Sequence, residues 1–323
     1  AKNKTIKLFN ETVAPGERKT IRLDIAKLHT ATQLHIPIIV ERALEAGPTV
    51  LITAGIHGDE LNGIDIVRQM VAKGINCPSR GTIICIPIVN VFGFVNRSRA
   101  FPDGRDLNRV FPGSKTGSLA SRFAHEITNE ILPLADYCID FHTGGAQRFN
   151  APQIRIDFDN PKLIELAAVF NAPFTVNSKN LSKTFRSNCD KLGIPMLLFE
   201  GGKSDDINSD ISQHGLEGVI RLLHYLGMLC EKVSVVPAVE PTSYIQSSVW
   251  VRAKVSGLFH NQVKIGQKVS KGTLLAYITD PYGEISKKIK APEKGYIINI
   301  NHSPIVYQGD AIYHLANKML TES

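Results

Sequence analysis

Four short, mainly apolar runs, separated by stretches of helical periodicity, constrain this chain more than any other feature. They are Val50-Leu51-Ile52, Ile83 to Val89, Tyr137 to Phe141 and Met196 to Phe199. A strand that is apolar at successive positions, rather than at alternate ones, has to be covered on both faces. Between the runs, apolar residues recur three and four apart: Leu61, Ile64, Val67 and Val71, then Leu119, Phe123, Ile127 and Ile131. Leu163, Leu166, Ala167 and Phe170 follow, and then Leu216, Val219, Leu223 and Leu226. Asn160-Pro161 supplies an N-cap and a first helical position for the third of these. The alternation predicts an α/β fold, a sheet flanked by helices. The opening segment differs: Ile21, Leu23 and Ile25, then Leu34, Ile36, Ile38 and Val40, keep the two-residue period of half-buried strands.

A length of 323 residues suits two domains. From Glu231 the chain turns Val-, Pro- and Ser-rich and helical periodicity stops, which places a boundary between residues 1–240 and 241–323. The second part carries an internal repeat. Val269, Gly272, Leu275 and Ile278 are matched in spacing by Val306, Gly309, Ile312 and Leu315, and a glycine, Gly257 or Gly295, precedes each copy. Two such β-units close one small core face to face. This segment resembles the barrel-sandwich hybrid of lipoyl and biotinyl carrier domains. Carriers present a modifiable lysine at the tip between the halves. Here the tip is Asp280-Pro281-Tyr282-Gly283-Glu284, without a lysine, so a structural or substrate-shielding role is the expectation.

Composition excludes several classes of function. With 43% hydrophobic and 21% charged residues the chain can bury a core, unlike a disordered protein. No run approaches the ~20 apolar residues of a bilayer span, so no membrane partner is expected. Ala1-Lys2-Asn3-Lys4 lacks an apolar leader segment, and the chain reads as cytoplasmic. Five cysteines, odd in number and without a CxxC pair, read as reduced thiols. The net charge is +7, but no block of Lys/Arg exceeds two residues. Dispersed basic charge argues against nucleic acid and suits a small anionic substrate. Homo-oligomerisation is left open.

Chemistry concentrates at strand ends. Gly55-Ile56-His57-Gly58-Asp59-Glu60 follows the Val50 strand and opens the Leu61 helix. A histidine and a glutamate at this spacing can reach one metal ion. Spacing alone is weak, because His214 and Glu217 repeat it with no strand before them. Context strengthens the first pair. Cys138-Ile139-Asp140-Phe141-His142-Thr143-Gly144-Gly145 ends a second apolar strand in a histidine, and Leu197-Leu198-Phe199-Glu200-Gly201-Gly202 ends a third in a glutamate. The carboxyl ends of parallel strands form one ligand-binding edge. Two histidines and one carboxylate leave a zinc position open for water, and a second glutamate can serve as general base. A polar loop, Asn96 to Gly113, adds four arginines suited to carboxylates.

GIHGDE, DLNRVFPG, DFHTGG and FEGG, in this order, resemble the succinylglutamate desuccinylase/aspartoacylase family, relatives of the zinc carboxypeptidases. The likeness spans about Thr49 to Met228, and the appended β-segment resembles that of longer members described as predicted deacylases. It implies a carboxypeptidase-like mixed sheet and hydrolysis of an N-acyl amino acid with one Zn2+. Carried over residue by residue, His57, Glu60 and His142 become the metal ligands and Glu200 the base and later the acid. Asn108 and Arg109 match a pair that holds a substrate carboxylate. Arg99 and Arg105 are alternatives for offsetting oxyanion charge, and Arg186 matches a further substrate-binding arginine. Two other functions stay open: a zinc carboxypeptidase or peptide-trimming enzyme, and a non-catalytic binding protein on the same fold.

Overall fold

The computed structural model of the protein describes residues 4–27 and 29–320. Ala1 to Asn3, read above for a leader, and the side chain of Ile25 lie outside the described residues. The four apolar runs form adjacent strands. Met196–Lys203, Tyr137–Gly144, Glu45–Ala54 and Arg80–Ile86 lie side by side in that order, all parallel. Two antiparallel strands, Gln33–Arg42 and Arg18–Lys27, extend the Arg80 edge, as the two-residue period predicted.

Both faces of this sheet are covered. Val50, Ile52, Ile83, Cys85, Ile139 and Phe141 point into one core, beneath the helices Leu61–Ala72, Pro161–Phe170 and Ser209–Tyr225. The intervening Leu51, Ile84, Ile86 and Cys138 enter a second core with Phe101, Leu107, Phe111 and Phe123. Each fully buried large apolar side chain contributes roughly 1.5–3 kcal/mol, so neither face can be left to solvent. The third helix begins as its sequence predicts: Asn160 Oδ1 accepts from the Lys162 and Leu163 N–H groups, with Pro161 at the first position. The helix Leu119–Glu126 runs on through a π-helical turn, Ile127–Ile131, so the Leu119-to-Ile131 stripe is not one uniform α-helix.

Beyond Met196–Lys203 the sheet continues through Arg148–Ile156 and Phe174–Asn177 into strands from the C-terminal residues. Ser243–Arg252 pairs in parallel with Phe174–Asn177, and Ala311–Met319 and Gly295–Asn301 follow. Gly295–Asn301 then bends back onto Arg148–Ile156, closing a ring of five strands. A four-stranded sheet built from Gly257–Asn261, Leu274–Thr279, Ser286–Lys290 and Ile305–Val306 completes the C-terminal part. Val269, Leu275, Ile278, Val306, Ile312 and Leu315, the apolar positions of the internal repeat, share one core. Among the described residues, no helix is long and apolar enough to cross a membrane.

Candidate active site

The loop after Glu45–Ala54 is shaped by a glycine. A Cβ on Gly58 would lie 1.9 Å from the carbonyl carbon of Gly93, so only glycine lets His57 and Glu60 close onto the Val91–Asn96 helix. Asn90 caps that helix, accepting from the Gly93 N–H at 2.8 Å, and its Nδ2 donates to the Ala100 carbonyl at 3.0 Å. The chain carrying Arg99 is thereby tied beside the loop.

Strand pairing then brings the separate motifs together. His57 Nδ1 lies 2.8 Å from Glu60 Oε1, and His142 Nδ1 lies 3.0 Å from Glu60 Oε2. Candidate ligand atoms of His57, Glu60 and His142 all fall within 4.8 Å of one another. Behind them, His57 Nε2 is 3.1 Å from Asp106 Oδ1 and His142 Nε2 is 2.6 Å from Asp140 Oδ2. Asp140 reaches His142 because residues two apart on a strand share a face. His57, Glu60, Asp140 and His142 are all buried.

The electrostatics are extreme. Burial works against an imidazolium at His142, but the Asp140 and Glu60 charges and hydrogen bonds outweigh it and raise its pKa well above the ordinary value. His57 is raised for the same reason, by Glu60 and Asp106 against burial. Burial would raise Glu60, yet the two histidines hold its carboxyl well below the usual carboxylate range. Asp106 is likewise held low, against burial, by His57 and Arg99.

This donor set fits a metal ion. Each imidazole faces a carboxylate at both nitrogens, and a neutral ring carries only one N–H. With a cation in place of the second proton, each ring would keep Nε2–H on Asp106 or Asp140 and offer its Nδ1 lone pair beside Glu60. Two histidines and one carboxylate, with outer carboxylates fixing the tautomers, are donors suited to catalytic zinc.

Glu200 stands on the neighbouring strand, in register with His142. Its Oε2 accepts from Asn150 Nδ2 at 2.7 Å and pairs with Arg155 Nε at 3.3 Å. It lines a cavity of about 480 Å³ together with His57, Glu60, His142, Arg99, Asn108, Arg109 and Arg186. Arg99 reaches Glu60 Oε1 at 3.2 Å and Asp106 Oδ2 at 3.0 Å. Asn108 Oδ1 accepts from the Phe185 N–H at 2.8 Å, and its Nδ2 has no hydrogen bond among the described residues. Arg109 is exposed, its guanidinium donating to the Asn108 carbonyl. Arg186 is tied to the Arg155 and Lys179 carbonyls and to Ser178. Arg105 is not brought in: it pairs with Asp103 at 3.5 Å, away from the cavity wall.

Several lining residues were not read from the sequence. Arg148, Asn150 and Arg155 come from the strand after DFHTGG, and Trp250 and Asn299 from the C-terminal strands. Trp250 stacks on His314 with ring centroids 4.2 Å apart. Burial, with Arg155 nearby, pushes His314 down to about 4. Asp140 did leave a signal, standing two residues before His142 on one strand face. The others have no motif.

Residues 46–226 match the succinylglutamate desuccinylase/aspartoacylase catalytic domain, more than half of the chain, and the protein belongs to that family. A curated relative, the N-alpha-acetyl-L-2,4-diaminobutyric acid deacetylase of Halomonas elongata, is 29% identical over 87% of this chain and 85% of its own. The crystal structure of a succinylglutamate desuccinylase/aspartoacylase from Rhodobacter sphaeroides is 25% identical, with a TM-score of 0.80 over 93% of this chain and 95% of that one. The product-bound ectoine utilization protein EutE (DoeB) of Ruegeria pomeroyi, at 24% identity, shares the fold with a TM-score of 0.79 over 94% and 98% of the two chains. The chain is therefore a deacylase-family hydrolase whose fold is shared along nearly its whole length.

Proposed function

We propose that the protein is a zinc-dependent deacylase that hydrolyses the amide bond of an N-acyl amino acid or a related small molecule. The observation that carries this reading is the convergence of His57, Glu60 and His142 with Glu200 on one arginine-rich cavity. The deacetylase relative supports an acetylated amino acid as the first substrate to try.

His57, Glu60 and His142 would hold the metal. When bound, zinc lowers the pKa of water toward 7 and polarises a carbonyl. Glu200 takes a proton from the attacking water through Oε1, the oxygen its protein partners leave alone, and returns it to the leaving nitrogen. Water adds to the carbonyl carbon and the C–N bond breaks, so the products are one carboxylate and one free amine. Arg99, beside Glu60, offsets charge gathering on the carbonyl oxygen. Arg109 and the free Nδ2 of Asn108 grip a substrate carboxylate. Five arginines line the cavity against Glu60, Asp140 and Glu200, a balance that suits an anionic ligand.

The test is free-amine release by zinc-loaded protein from Nα-acetyl-L-2,4-diaminobutyrate, other N-acetyl and N-succinyl amino acids, and short peptides, each beside E200Q. Release from acyl amino acids, absent in E200Q, is expected. Release from peptides alone would replace this reading with carboxypeptidase activity.

A further inference from the structure

The C-terminal strand Gly295–Asn301 lies against Arg148–Ile156 with Asn299 directly opposite Asn150. Asn299 Nδ2 donates to Asn150 Oδ1 at 2.6 Å, and Asn150 Nδ2 donates to Glu200 Oε2 at 2.7 Å. Both asparagines are buried. The polarity of the chain follows from its end. An ionised carboxylate only accepts, so Asn150 turns its NH2 toward Glu200 and its oxygen toward Asn299, which must then donate. Asn299 Oδ1 is buried with no hydrogen-bond partner. A buried amide with an unmatched carbonyl is costly, so packing alone would not select asparagine here.

We infer that Asn299 is a positioning residue for the hydrolysis: its N–H locks the Asn150 amide, which fixes the carboxylate of Glu200 by Oε2 and leaves Oε1 for proton transfer. The appended β-segment is then a working part of the active site, beyond the shielding role its sequence suggested. An asparagine amide can rotate by half a turn. Without the Asn299 donor, Asn150 can present its oxygen to Glu200 instead and push the carboxylate off line. This inference rests on Glu200 being the base.

The experiment measures kcat and KM on whichever N-acetyl amino acid is turned over, for N299A, N299D, N150A and N150A/N299A, with zinc content and Tm for each. N299A should lower kcat about ten- to a hundredfold, the scale of a misplaced catalytic group, with KM and zinc content unchanged. N299D keeps the shape but cannot donate while ionised, and should lower kcat at least as far; it also serves if N299A does not fold. In N150A/N299A the kcat loss should equal that of N150A alone, because Asn299 acts only through Asn150. Additive losses, or a higher KM at unchanged kcat, would overturn the relay. If E200Q stays active, the assignment of the base fails; if E200Q is dead while N299A and N299D keep full kcat, only the relay fails. Independently of turnover, the side-chain amide NMR signal of Asn299 should shift in E200Q, and an unmoved signal counts against the relay.

Discussion

His57/Glu60 and His214/Glu217 are the same pair of residues at the same spacing, and they come to opposite ends. The first lies where a strand breaks into a loop, so its side chains leave the sheet edge toward His142 and Asp106. The second lies within the helix Ser209–Tyr225, where a three-residue step keeps both on one helix flank. There Glu217 accepts from Gln213 at 2.9 Å and pairs with Arg221 at 3.6 Å. The histidines answer with opposite shifts. His57 is raised by two carboxylates against burial. His214 is lowered, by burial first and then by Arg221, with Glu217 too weak to reverse it. Spacing makes a pair available, and the groups that distant segments deliver, here Asp106 from a loop and His142 from another strand, decide whether it becomes a site.

The largest expected effect tests this contrast directly. H142A should lose bound metal and reduce kcat/KM on the order of a thousandfold, the scale of losing a central transition-state contact. H214A should leave metal content and turnover at the wild-type level. Elemental analysis and steady-state rates check both, and metal retained in H142A would remove it as a ligand. D140N is next. Loss of the outer carboxylate should weaken metal binding about 10–100-fold. Chelator competition reads that change, with E217Q as the unaffected counterpart. R109A should raise KM about tenfold or more, the range of a charge-assisted hydrogen bond, with little change in kcat. R109K should restore part of it, since an ammonium keeps the charge without the planar fork.

The smallest effect is on pH dependence, in metal-stripped protein. His142 has a folded pKa above its ordinary 6.5, so its stabilisation is complete below that value and is lost as pH rises through the folded pKa. His214, shifted down from 6.5, holds fewer protons folded than unfolded, so stability falls as pH drops from 6.5 through its folded pKa. H142Q should flatten the alkaline decline in Tm, and H214Q the acid-side decline. Identical slopes in the two variants and wild type would deny the contrast.

Much of the site was legible because its motifs are local. GIHGDE, DFHTGG and FEGG each end an apolar strand, and four apolar strands in parallel leave one edge where their last residues can meet. The arginine loop was less legible. Arg99 and Arg105 look alike in sequence, six residues apart in a polar stretch, and only folding sets Arg99 between Glu60 and Asp106 while Arg105 turns to Asp103. The stripe from Leu119 to Ile131 kept helical spacing through a turn that winds more loosely, because apolar period is blind to one extra residue per turn.

Sequence alone determined the covered sheet, the strand-end placement of His57, Glu60, His142 and Glu200, which line one cavity, and the apolar repeat whose six residues lie in one C-terminal core. These are properties of short segments, carried by hydrophobic period and strand-end position. Tertiary structure decided what surrounds them. The bond between Asn299 and Asn150 spans 149 residues of chain, and it exists because the C-terminal strands close a ring with Arg148–Ile156. No local pattern marks such a contact, since what sets it is the pairing register of two distant strands and not the character of either segment.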